Sequence, residues 1–404
     1  MARQMKESGI DWVGRIPNEW HLAQLKRFVT VNNGREILEE IDKSDDAIPV
    51  YGSGGVFKYT SSYLYDGIAV LFGRKGTLGK PIMTSGKIWV VDTMYYLTYS
   101  PKLDPKFNYF QLQCFDWVPH ITHTALPSIV ASEIVSCSFA FPPFGEQKRI
   151  ATFLEAKLAK IDTVQRNTRF SIDEYKRLKQ SIIAEAVTKG IQHNRQMKPS
   201  GVAWTQKIPV NWSVIPSKYV FHNSDERKHE GDVLLTSSQK HGIISQTEYM
   251  ERENAKVVLA NKGLEDWKHV EPYDFVISLR SFQGGLEMSE TTGCITWHYI
   301  VLKPCREICS DYYKWLFKSE VYIKALQRTC NFIRDGQDLR YSNFVQVPLV
   351  VPPIAEQKEI ADYLDKKCAE IDTLISKKAA LLGELENYKK SIIYEYVTGK
   401  KEVQ

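Results

Sequence analysis

The sequence predicts an α+β protein: two mixed α/β domains, each followed by a long helical segment, with the two helices pairing as an antiparallel coiled coil of pseudo-twofold symmetry. Three observations predict it. A block of 47 residues occurs twice, a second motif opens each half, and apolar residues follow heptad spacing in both copies of the block. We place the first domain at 1–144, the first helical region at 145–190, the second domain at 191–353 and the second helical region at 354–404.

The opening motif begins each half of the chain. SGIDWVGRIPNEW runs from Ser8 to Trp20, and SGVAWTQKIPVNW runs from Ser200 to Trp212, 192 residues later. The segments that follow, 21–141 and 213–351, are mostly dissimilar. The two halves therefore share a framework but differ in what they carry on it.

The dissimilar segments have the composition of mixed α/β domains. Short apolar runs such as IPVYGSGGVFKYT, GIAVLFG and KIWVVDTMYYLTY are separated by Gly, Pro and Ser, a pattern typical of strands joined by turns. Residues 105–117 and 311–329 are predicted to be helical.

The repeated block is predicted to be a helix in both copies. Residues 142–188 and 352–398 are identical at 21 of 47 positions, and both begin with Pro-Pro followed by Glu-Gln-Lys. Because proline is excluded from a helix interior, each helix begins just after the Pro-Pro pair, with Glu146 or Glu356 near its positive end. We assign the Glu-Gln-Lys residues to helix capping and to the surface, rather than to a nuclease site that would need a further acidic partner.

Apolar residues along both helices alternate spacings of three and four, which predicts a coiled-coil seam. An alternative is that each helix is an ordinary surface helix packed on its own domain. The predicted seams are Ile161, Val164, Thr168, Ser171, Tyr175, Leu178 and Ile182, and Ile371, Leu374, Lys378, Leu381, Leu385, Tyr388 and Ile392.

Composition and charge fit a cytoplasmic protein. The chain has 404 residues, 43% of them hydrophobic, with a net charge of +5 and a pI near 8.6. No apolar run approaches the roughly 20 residues that span a bilayer, and the first residues contain no secretory signal. The seven cysteines include no CxxC pair, so we expect reduced structural thiols and no metal site.

Catalytic motifs are absent from the sequence. The glycine-rich segment from Gly73 to Lys80 has the wrong spacing for a phosphate-binding loop, and Pro81 follows it. We find no HExxH, no GxSxG and no Asn-Pro-Pro-aromatic segment. A binding protein is therefore favoured over an enzyme.

Polar and basic residues in glycine-rich loops are the candidates for DNA contacts. Arg and Lys suit guanine edges and phosphates, Gln suits adenine, and Ser and Thr suit either. The candidates are Arg35, Tyr51, Lys58, Arg74, Lys75, Thr77 and Lys80 in the first half, and Ser237, Ser238, Lys240, Arg280, Gln283, Arg334, Gln337 and Arg340 in the second.

The duplicated block, together with the Trp-x-x-x-Ile-Pro-x-x-Trp opening of each half, resembles the specificity subunits of type I restriction–modification systems. Trp12, Ile16, Pro17 and Trp20 carry the opening motif in the first half. The resemblance implies that each mixed domain is a target-recognition domain for one half of a split sequence in double-stranded DNA. It also implies that the helices form a spacer between the two domains.

The resemblance further implies partners for a chain that is not itself catalytic. Two methylation subunits and restriction/translocase subunits would dock on it. S-adenosylmethionine, ATP and Mg would be bound by those partners, with no cofactor in this chain. Two alternatives stay open, a stand-alone DNA-cleaving enzyme with an unrecognised active site and an assembly scaffold without DNA contact.

Overall fold

The computed structural model describes residues 3–122, 125–254, 263–278, 281–329 and 339–403, with only the backbone of Phe282. Contacts divide the chain into two compact units, one formed by residues 1–169 with 379–404 and the other by residues 170–378. Each unit therefore combines one mixed domain with parts of both long helices. In the described part of the chain, no helix combines the length and the apolar character needed to cross a membrane.

The first unit is built from short strands, two short helices and one segment of each long helix. Asp104 caps the first helix by accepting hydrogen bonds from the backbone N–H groups of Lys106 and Phe107, and Pro105 occupies its first turn. The strands are β1 (Met5–Glu7), β2 (Arg15–Pro17), β3 (His21–Gln24), β4 (Val29–Asn33), β5 (Ile48–Gly52), β6 (Gly55–Thr60), β7 (Tyr65–Asp66), β8 (Ala69–Gly73), β9 (Ile82–Thr84), β10 (Lys87–Val90), β11 (Met94–Tyr99) and β12 (Ser138–Phe141). The helices are α1 (Pro105–Cys114), α2 (Ala131–Ser136) and the beginning of α3 (Phe144–Lys189), with 3-10 turns at Leu25–Arg27 and Val118–His120.

The second unit likewise combines short strands with helices. The predicted helix at 311–329 is two helices, because Ser319 ends the first and caps the second through its hydroxyl group. The strands are β13 (Met197–Val202), β14 (Thr205–Pro209), β15 (Ser213–Ile215), β16 (Phe221–Ser224), β17 (Leu235–Ser238), β18 (Gly242–Ser245), β19 (Lys268–Val270), β20 (Phe275–Ile277), β21 (Glu287–Met288), β22 (Gly293–Ile295), β23 (Ile300–Pro304) and β24 (Leu349–Val351). The helices are α4 (Gln246–Glu253), α5 (Ser281–Gly284), α6 (Ser310–Lys318), α7 (Glu320–Gln327) and α8 (Tyr341–Phe344), with 3-10 turns at Ser217–Tyr219 and Leu264–Asp266. The unit also contains the end of α3 and the beginning of α9 (Ile354–Val397), whose last part belongs to the first unit.

The two units share one scaffold of strands. A four-stranded antiparallel sheet has the order β4-β11-β8-β9 in the first unit and β16-β23-β20-β21 in the second. The ladders β1–β2 and β3–β12 likewise correspond to β13–β14 and β15–β24. This correspondence confirms the mixed α/β character predicted for both halves, including segments that show little sequence similarity.

The units differ in the strands added to that scaffold. In the first unit, β10 pairs in parallel with β5 and antiparallel with β7, which gives a second four-stranded sheet, β6-β5-β10-β7. In the second unit, β17 and β18 form a separate hairpin, and β19 pairs with β22. The variable part of each domain is therefore carried by a constant framework.

A buried ion pair joins the beginning of each domain to the beginning of its long helix. In the first unit, the guanidinium of Arg3 donates to Glu146 at 2.8 and 3.1 Å and to Glu19, and lies 5.8 Å from the ring centre of Trp20. The exposed fraction of the Arg3 side chain is 18% and that of Glu146 is 11%. A charged pair this far removed from water fixes the position of the helix on the domain.

The same arrangement occurs in the second unit. Arg195 pairs with Glu356, donates to Asn211 at 2.8 Å and lies 5.7 Å from the ring centre of Trp212. Glu356 is only 7% exposed, so the predicted surface role of the Glu-Gln-Lys residues is wrong for the glutamate. Burial by itself raises the pKa of Glu356, but hydrogen bonds and the charge of Arg195 outweigh burial and hold the pKa below its usual value.

The glutamine of each Glu-Gln-Lys motif is also buried. Gln147 accepts the backbone N–H of Asp104 at 2.9 Å and donates to the carbonyl of Pro142 at 3.0 Å. Gln357 makes the corresponding bonds with Cys309 and Pro352, each at 2.9 Å. The motif is repeated because each copy fastens a helix start to its own domain.

The far end of each long helix packs on an opening motif. Ile392, Ile393 and Val397 of α9 belong to the same core as Trp20, and Gly399 lies against Pro17. In the second unit, the end of α3 packs on Trp212, with Gly190 beside Arg195 and Glu356. Gly399 has a φ of +70° and Gly190 a φ of +76°, the left-handed conformation that ends many helices.

The segments of α3 and α9 run antiparallel within each unit. In the first unit, Lys389 pairs with Asp162 at 2.6 Å, and the ring centres of Phe153 and Tyr396 lie 4.5 Å apart. In the second unit, Lys179 pairs with Asp372 at 2.6 Å. Residue numbers rise along one segment as they fall along the other.

The predicted seam is buried or half-buried at every second position, whereas five of the six residues between those positions are exposed and only Ser171 is half-buried. Ile161, Thr168 and Ile371 are buried, whereas Val164, Leu178, Leu374, Leu381 and Tyr388 are 40–53% exposed. The inward positions lie one residue later, at Gln165, Lys179, Ile375, Leu382 and Lys389. Long polar side chains fill three of these positions because their stems pack inward while their ends reach partners on the facing segment.

Candidate nucleic-acid interface

Four of the candidate residues of the first half contact the turn between β10 and β11, and a fifth, Thr77, is on the same loop as Arg74 and Lys75. The backbone N–H groups of Arg74 and Lys75 donate to the carbonyl of Thr93 at 2.8 and 3.2 Å, and the N–H of Arg35 donates to Val90 at 2.8 Å. The carbonyl of Tyr51 accepts the N–H of Val91 at 3.1 Å. We call Arg35, Tyr51, Arg74, Lys75 and Thr77 the first basic surface.

Two contacts fix the loop that carries this surface. The N–H of Thr77 donates to the hydroxyl of Ser53 in the β5–β6 turn at 3.2 Å, and the carbonyl of Arg74 accepts the N–H of Ile129 at 3.0 Å. Gly34 allows the close approach of β4, since a Cβ there would lie 1.9 Å from the carbonyl oxygen of Val91. The loop backbone is thus held on both sides, which fixes the positions from which its side chains project.

The charged ends of this surface are exposed. Arg74, Lys75 and Arg35 form no ion pair with any residue that the structure describes. The guanidinium of Arg74 lies 6.0 Å from the ring centre of Tyr95. Unpaired, exposed guanidinium and ammonium groups on a fixed loop suit the phosphates and base edges of nucleic acid.

Lys58 and Lys80 are not part of the first basic surface, although β6, which carries Lys58, pairs with the strand of Tyr51. Lys58 pairs with Glu40 at 2.5 Å, which neutralises its charge. Lys80 lines a cleft of about 510 Å³ together with Lys389, Lys390 and Tyr394 of α9. Lys80 is therefore close to Arg74 in the sequence but contributes to a different surface, the cleft beside α9.

The hairpin candidates of the second half are engaged in local structure. The hydroxyl of Ser238 accepts the backbone N–H groups of Lys240 and His241, both at 3.3 Å, and closes the β17–β18 turn. Ser237 is half-buried in β17. Lys240 and His241 both contact Glu253, at 2.6 and 2.7 Å, and these hydrogen bonds lower the pKa of Glu253. The hairpin tip therefore carries little free charge.

Two further candidates of the second half lie on or beside short helices. Gln283 is exposed on α5 and lines a cleft of about 580 Å³ with Gln239 and Lys318. Arg340 is exposed at the beginning of α8, where its N–H donates to Asn343 at 3.0 Å. Arg280, Arg334 and Gln337 lie outside the described residues.

Arg3 and Arg195 are the functional positions that sequence reasoning missed, since they fix each domain on its helix. Their signal is present in the sequence, because RQMK occurs at residues 3–6 and again at 195–198, also 192 residues apart. The opening repeat thus begins five residues before Ser8. Extending the alignment upstream would have pointed to both arginines.

Among the described residues, one group of three side chains meets the geometric requirement for holding a metal ion. Its members are Glu226, His229 and His269 of the second unit. Cys305 and Cys309 are not part of it, and the thiol of Cys305 lies 3.5 Å from Nδ1 of His222 instead.

Comparison with known proteins gives a consistent result. A family model described as type I restriction modification DNA specificity domain matches residues 17–169. The chain is 21% identical over 447 residues to the type I restriction enzyme MjaVIII specificity subunit of Methanocaldococcus jannaschii, covering 96% of this chain and 95% of that protein. It is 20% identical over 424 residues to the type I restriction enzyme EcoDI specificity subunit of Escherichia coli, covering 97% of this chain and 90% of that protein.

A solved structure has a similar fold. A chain from a structural study of complex assembly and conformational transition of the type I R-M system superposes with a TM-score of 0.67 and 15% sequence identity. The match covers 96% of this chain and 99% of that chain. The fold described above is therefore one that exists in a solved protein.

Proposed function

Since this chain belongs to the specificity subunits of type I restriction–modification systems, we propose that its two domains read the two halves of a bipartite DNA sequence. The chain recognises a DNA target and is not itself an enzyme. The observation that carries the bipartite reading is the shared scaffold, in which the order β4-β11-β8-β9 corresponds to β16-β23-β20-β21 while the added strands differ. Equivalent frameworks with unlike loops suit two unlike half-sites.

In this proposal the first basic surface contacts the first half-site. Its backbone is held by hydrogen bonds to residues 90–93, and the ends of Arg74 and Lys75 are exposed. The candidates of the second half form the other contact region. The functional division remains 1–144, 145–190, 191–353 and 354–404, with the helical regions as an antiparallel coiled-coil spacer.

Substitution of Arg74 tests this assignment. In the assembled complex, Arg74→Ala is expected to reduce discrimination at one half-site by about 1–3 kcal/mol, because a bidentate contact to a base is lost. Methylation profiling across a genome measures the preference at every position of both half-sites. Arg177→Ala, which removes an arginine whose side chain is 78% exposed on α3, serves as the charge-matched control.

The two outcomes of that experiment are distinct. Relaxation confined to one half-site supports a base-reading arginine. A uniform loss of binding across all sequences, with a smaller salt dependence, would assign Arg74 to a phosphate instead. No change relative to the Arg177→Ala control would remove Arg74 from the interface.

A second test concerns the spacer. Inserting one heptad into each long helix adds about 10 Å at roughly 1.5 Å per residue, so the gap between half-sites is expected to grow by about three base pairs. The insertions belong at matching positions of α3 and α9, so that the facing residues stay in register. Sequencing of the modified bases gives the gap directly, and an unchanged gap would refute the spacer. A variant with seven helical residues substituted rather than inserted controls for altered composition.

Partner subunits complete the proposed function. Two methylation subunits and restriction/translocase subunits would dock on this chain, with S-adenosylmethionine, ATP and Mg bound by those partners. Exposed apolar residues support docking on the helices, since Leu374, Leu381 and Tyr388 lie one heptad apart on one face of α9. Nothing in the described part of the chain favours the stand-alone DNA-cleaving enzyme.

A further inference from the structure

A mixed histidine and carboxylate cluster lies in the second unit, next to the segment that leads into the β17–β18 hairpin. Glu226 and His229 are on the segment between β16 and β17, and His269 is on β19. One ligand atom from each of the three residues lies within 4.8 Å of the other two. Three potential ligands from two separate parts of the chain thus lie close together, although only His269 is buried.

The buried histidine is oriented by a second carboxylate. His269 is 4% exposed, and its Nδ1 lies 2.9 Å from Oδ2 of Asp232. The same carboxylate oxygen accepts the backbone N–H of His229 at 2.8 Å. A carboxylate on one ring nitrogen leaves Nε2 as the ligand atom, which is the usual arrangement around a metal-bound histidine.

Glu226 can serve a metal and a lysine at the same time. Its Oε1 lies 3.1 Å from Nε2 of His229, while its Oε2 accepts the ammonium of Lys303 at 3.0 Å. Lys303 also contacts Glu271 at 2.7 Å and Asp274 at 3.7 Å. Three carboxylates therefore surround a single ammonium group, and Asp232 adds a fourth carboxylate beside His269, so the negative charge of the cluster attracts a further cation.

The histidine rings require one adjustment to bind a metal. His229 stacks on His269 with ring centres 3.8 Å apart, and stacked rings cannot both direct Nε2 at one ion. The His229 side chain is 52% exposed, so its ring is able to turn without disturbing the core. His269, held by Asp232, keeps its orientation.

We propose that Glu226, His229 and His269 bind one divalent transition-metal cation, with Zn²⁺ as the best match to two imidazole nitrogens and a carboxylate oxygen. Water or Glu271, whose Oε1 lies 4.0 Å from Nε2 of His269, completes the coordination. The role is structural: the ion ties the segment that leads into the β17–β18 hairpin to strand β19. The proposal concerns binding of the metal alone and does not depend on DNA recognition.

The test uses the purified full-length chain, stripped with a chelator and then dialysed against ZnSO4. Mass spectrometry of the bound metal is expected to show about one Zn²⁺ per chain more in the wild type than in His229→Ala. His229 is the variant of choice because its side chain is largely exposed, and unchanged thermal unfolding of the stripped protein verifies its fold. His193→Ala, which removes an exposed histidine that is not part of the cluster, is the matched control and should keep the ion.

Two further readouts separate this site from adventitious binding by cysteines. Co²⁺ in the site should give visible absorption that is lost in His229→Ala and that lacks thiolate-to-cobalt charge transfer. Asp232→Asn should weaken Zn²⁺ binding by about 10- to 100-fold, because the orienting carboxylate is lost. Equal zinc content in wild type and His229→Ala would overturn the proposal and leave Lys303 as the cation that balances the cluster.

Discussion

Replacing Glu356 with glutamine is expected to lower the free energy of unfolding of the second unit by about 3–5 kcal/mol, because Arg195 is left as a buried, unpaired charge. The side chains of this pair are only 14% and 9% exposed, and glutamine preserves the size of the residue, so no cavity contributes. Urea unfolding followed by tryptophan fluorescence reports the change directly, since Trp212 lies beside the pair.

The matched control is Glu174→Gln, which breaks an exposed pair between Glu174 and Arg177 on α3 and should leave the unfolding midpoint unchanged. The effect at Glu356 also depends on pH. Because the pKa of Glu356 in the folded chain lies below its ordinary value, its stabilisation is complete above the ordinary glutamate pKa and is lost as the pH falls through the lowered value. The difference between wild type and Glu356→Gln should therefore shrink in acid, and a difference that stayed constant would argue against the ion pair.

Replacing Gly399 with alanine is expected to destabilise the first unit by about 3 kcal/mol. Gly399 has a φ of +70°, and a Cβ there would lie 2.5 Å from Cδ of Pro17 and 3.1 Å from the Trp20 ring. A left-handed alanine costs about 1–2 kcal/mol, and overpacking against a rigid proline adds about 1–3 kcal/mol. Thermal unfolding of the variant measures the loss.

Gly383→Ala, inside the helix that precedes Gly399, provides a control of opposite sign. A Cβ at Gly383 meets no atom within 4 Å, and the residue lies inside α9. Alanine in a helix interior is favoured over glycine by about 0.5–1 kcal/mol, so this variant should be slightly more stable than the wild type. If both glycine variants shifted stability in the same direction, the packing of the helix end on Pro17 would not be the cause.

The long helices and the opening motif were predictable from the sequence because both are written twice. The helix starts at Phe144 and Ile354 follow the two Pro-Pro pairs as expected, and the strand at Ala69–Gly73 corresponds to the predicted apolar run. The burial of Glu146 and Glu356 was not predictable from the block alone, because their partners, Arg3 and Arg195, are more than 140 residues away. Only the RQMK repeat pointed to them.

The seam shows how apolar spacing can mislead by one residue. Val164 and Leu178 fit a spacing of three and four, yet they face solvent, while Gln165 and Lys179 take the inward positions. In a helix, a shift of one residue turns a side chain by about 100°, so two heptad frames compete whenever polar residues occupy the true seam. The partner side chains on the facing segment decide between them.

The sequence predicted which types of residue form the candidate site, but only part of how those residues are arranged. Arg35, Tyr51 and Arg74 are brought together by hydrogen bonds to residues 90–93, a turn that carries no signal of its own in the sequence. Lys58 and Lys240 were equally basic in the sequence, but Glu40 and Glu253 neutralise them in the fold. Local composition finds exposed basic residues, whereas tertiary pairing decides which of them keep their charge free.

The dependence of the first unit on residues 392–397 has a consequence for synthesis on the ribosome. The core around Trp20 includes Ile392, Ile393 and Val397, so it stays incomplete until those residues are translated. At a typical elongation rate, more than two hundred intervening residues delay completion by roughly 10–45 seconds. During that delay the nascent chain displays an unfinished apolar surface, and a product that terminates early never covers it. Chaperones and proteases therefore have a direct means of telling finished chains from interrupted ones.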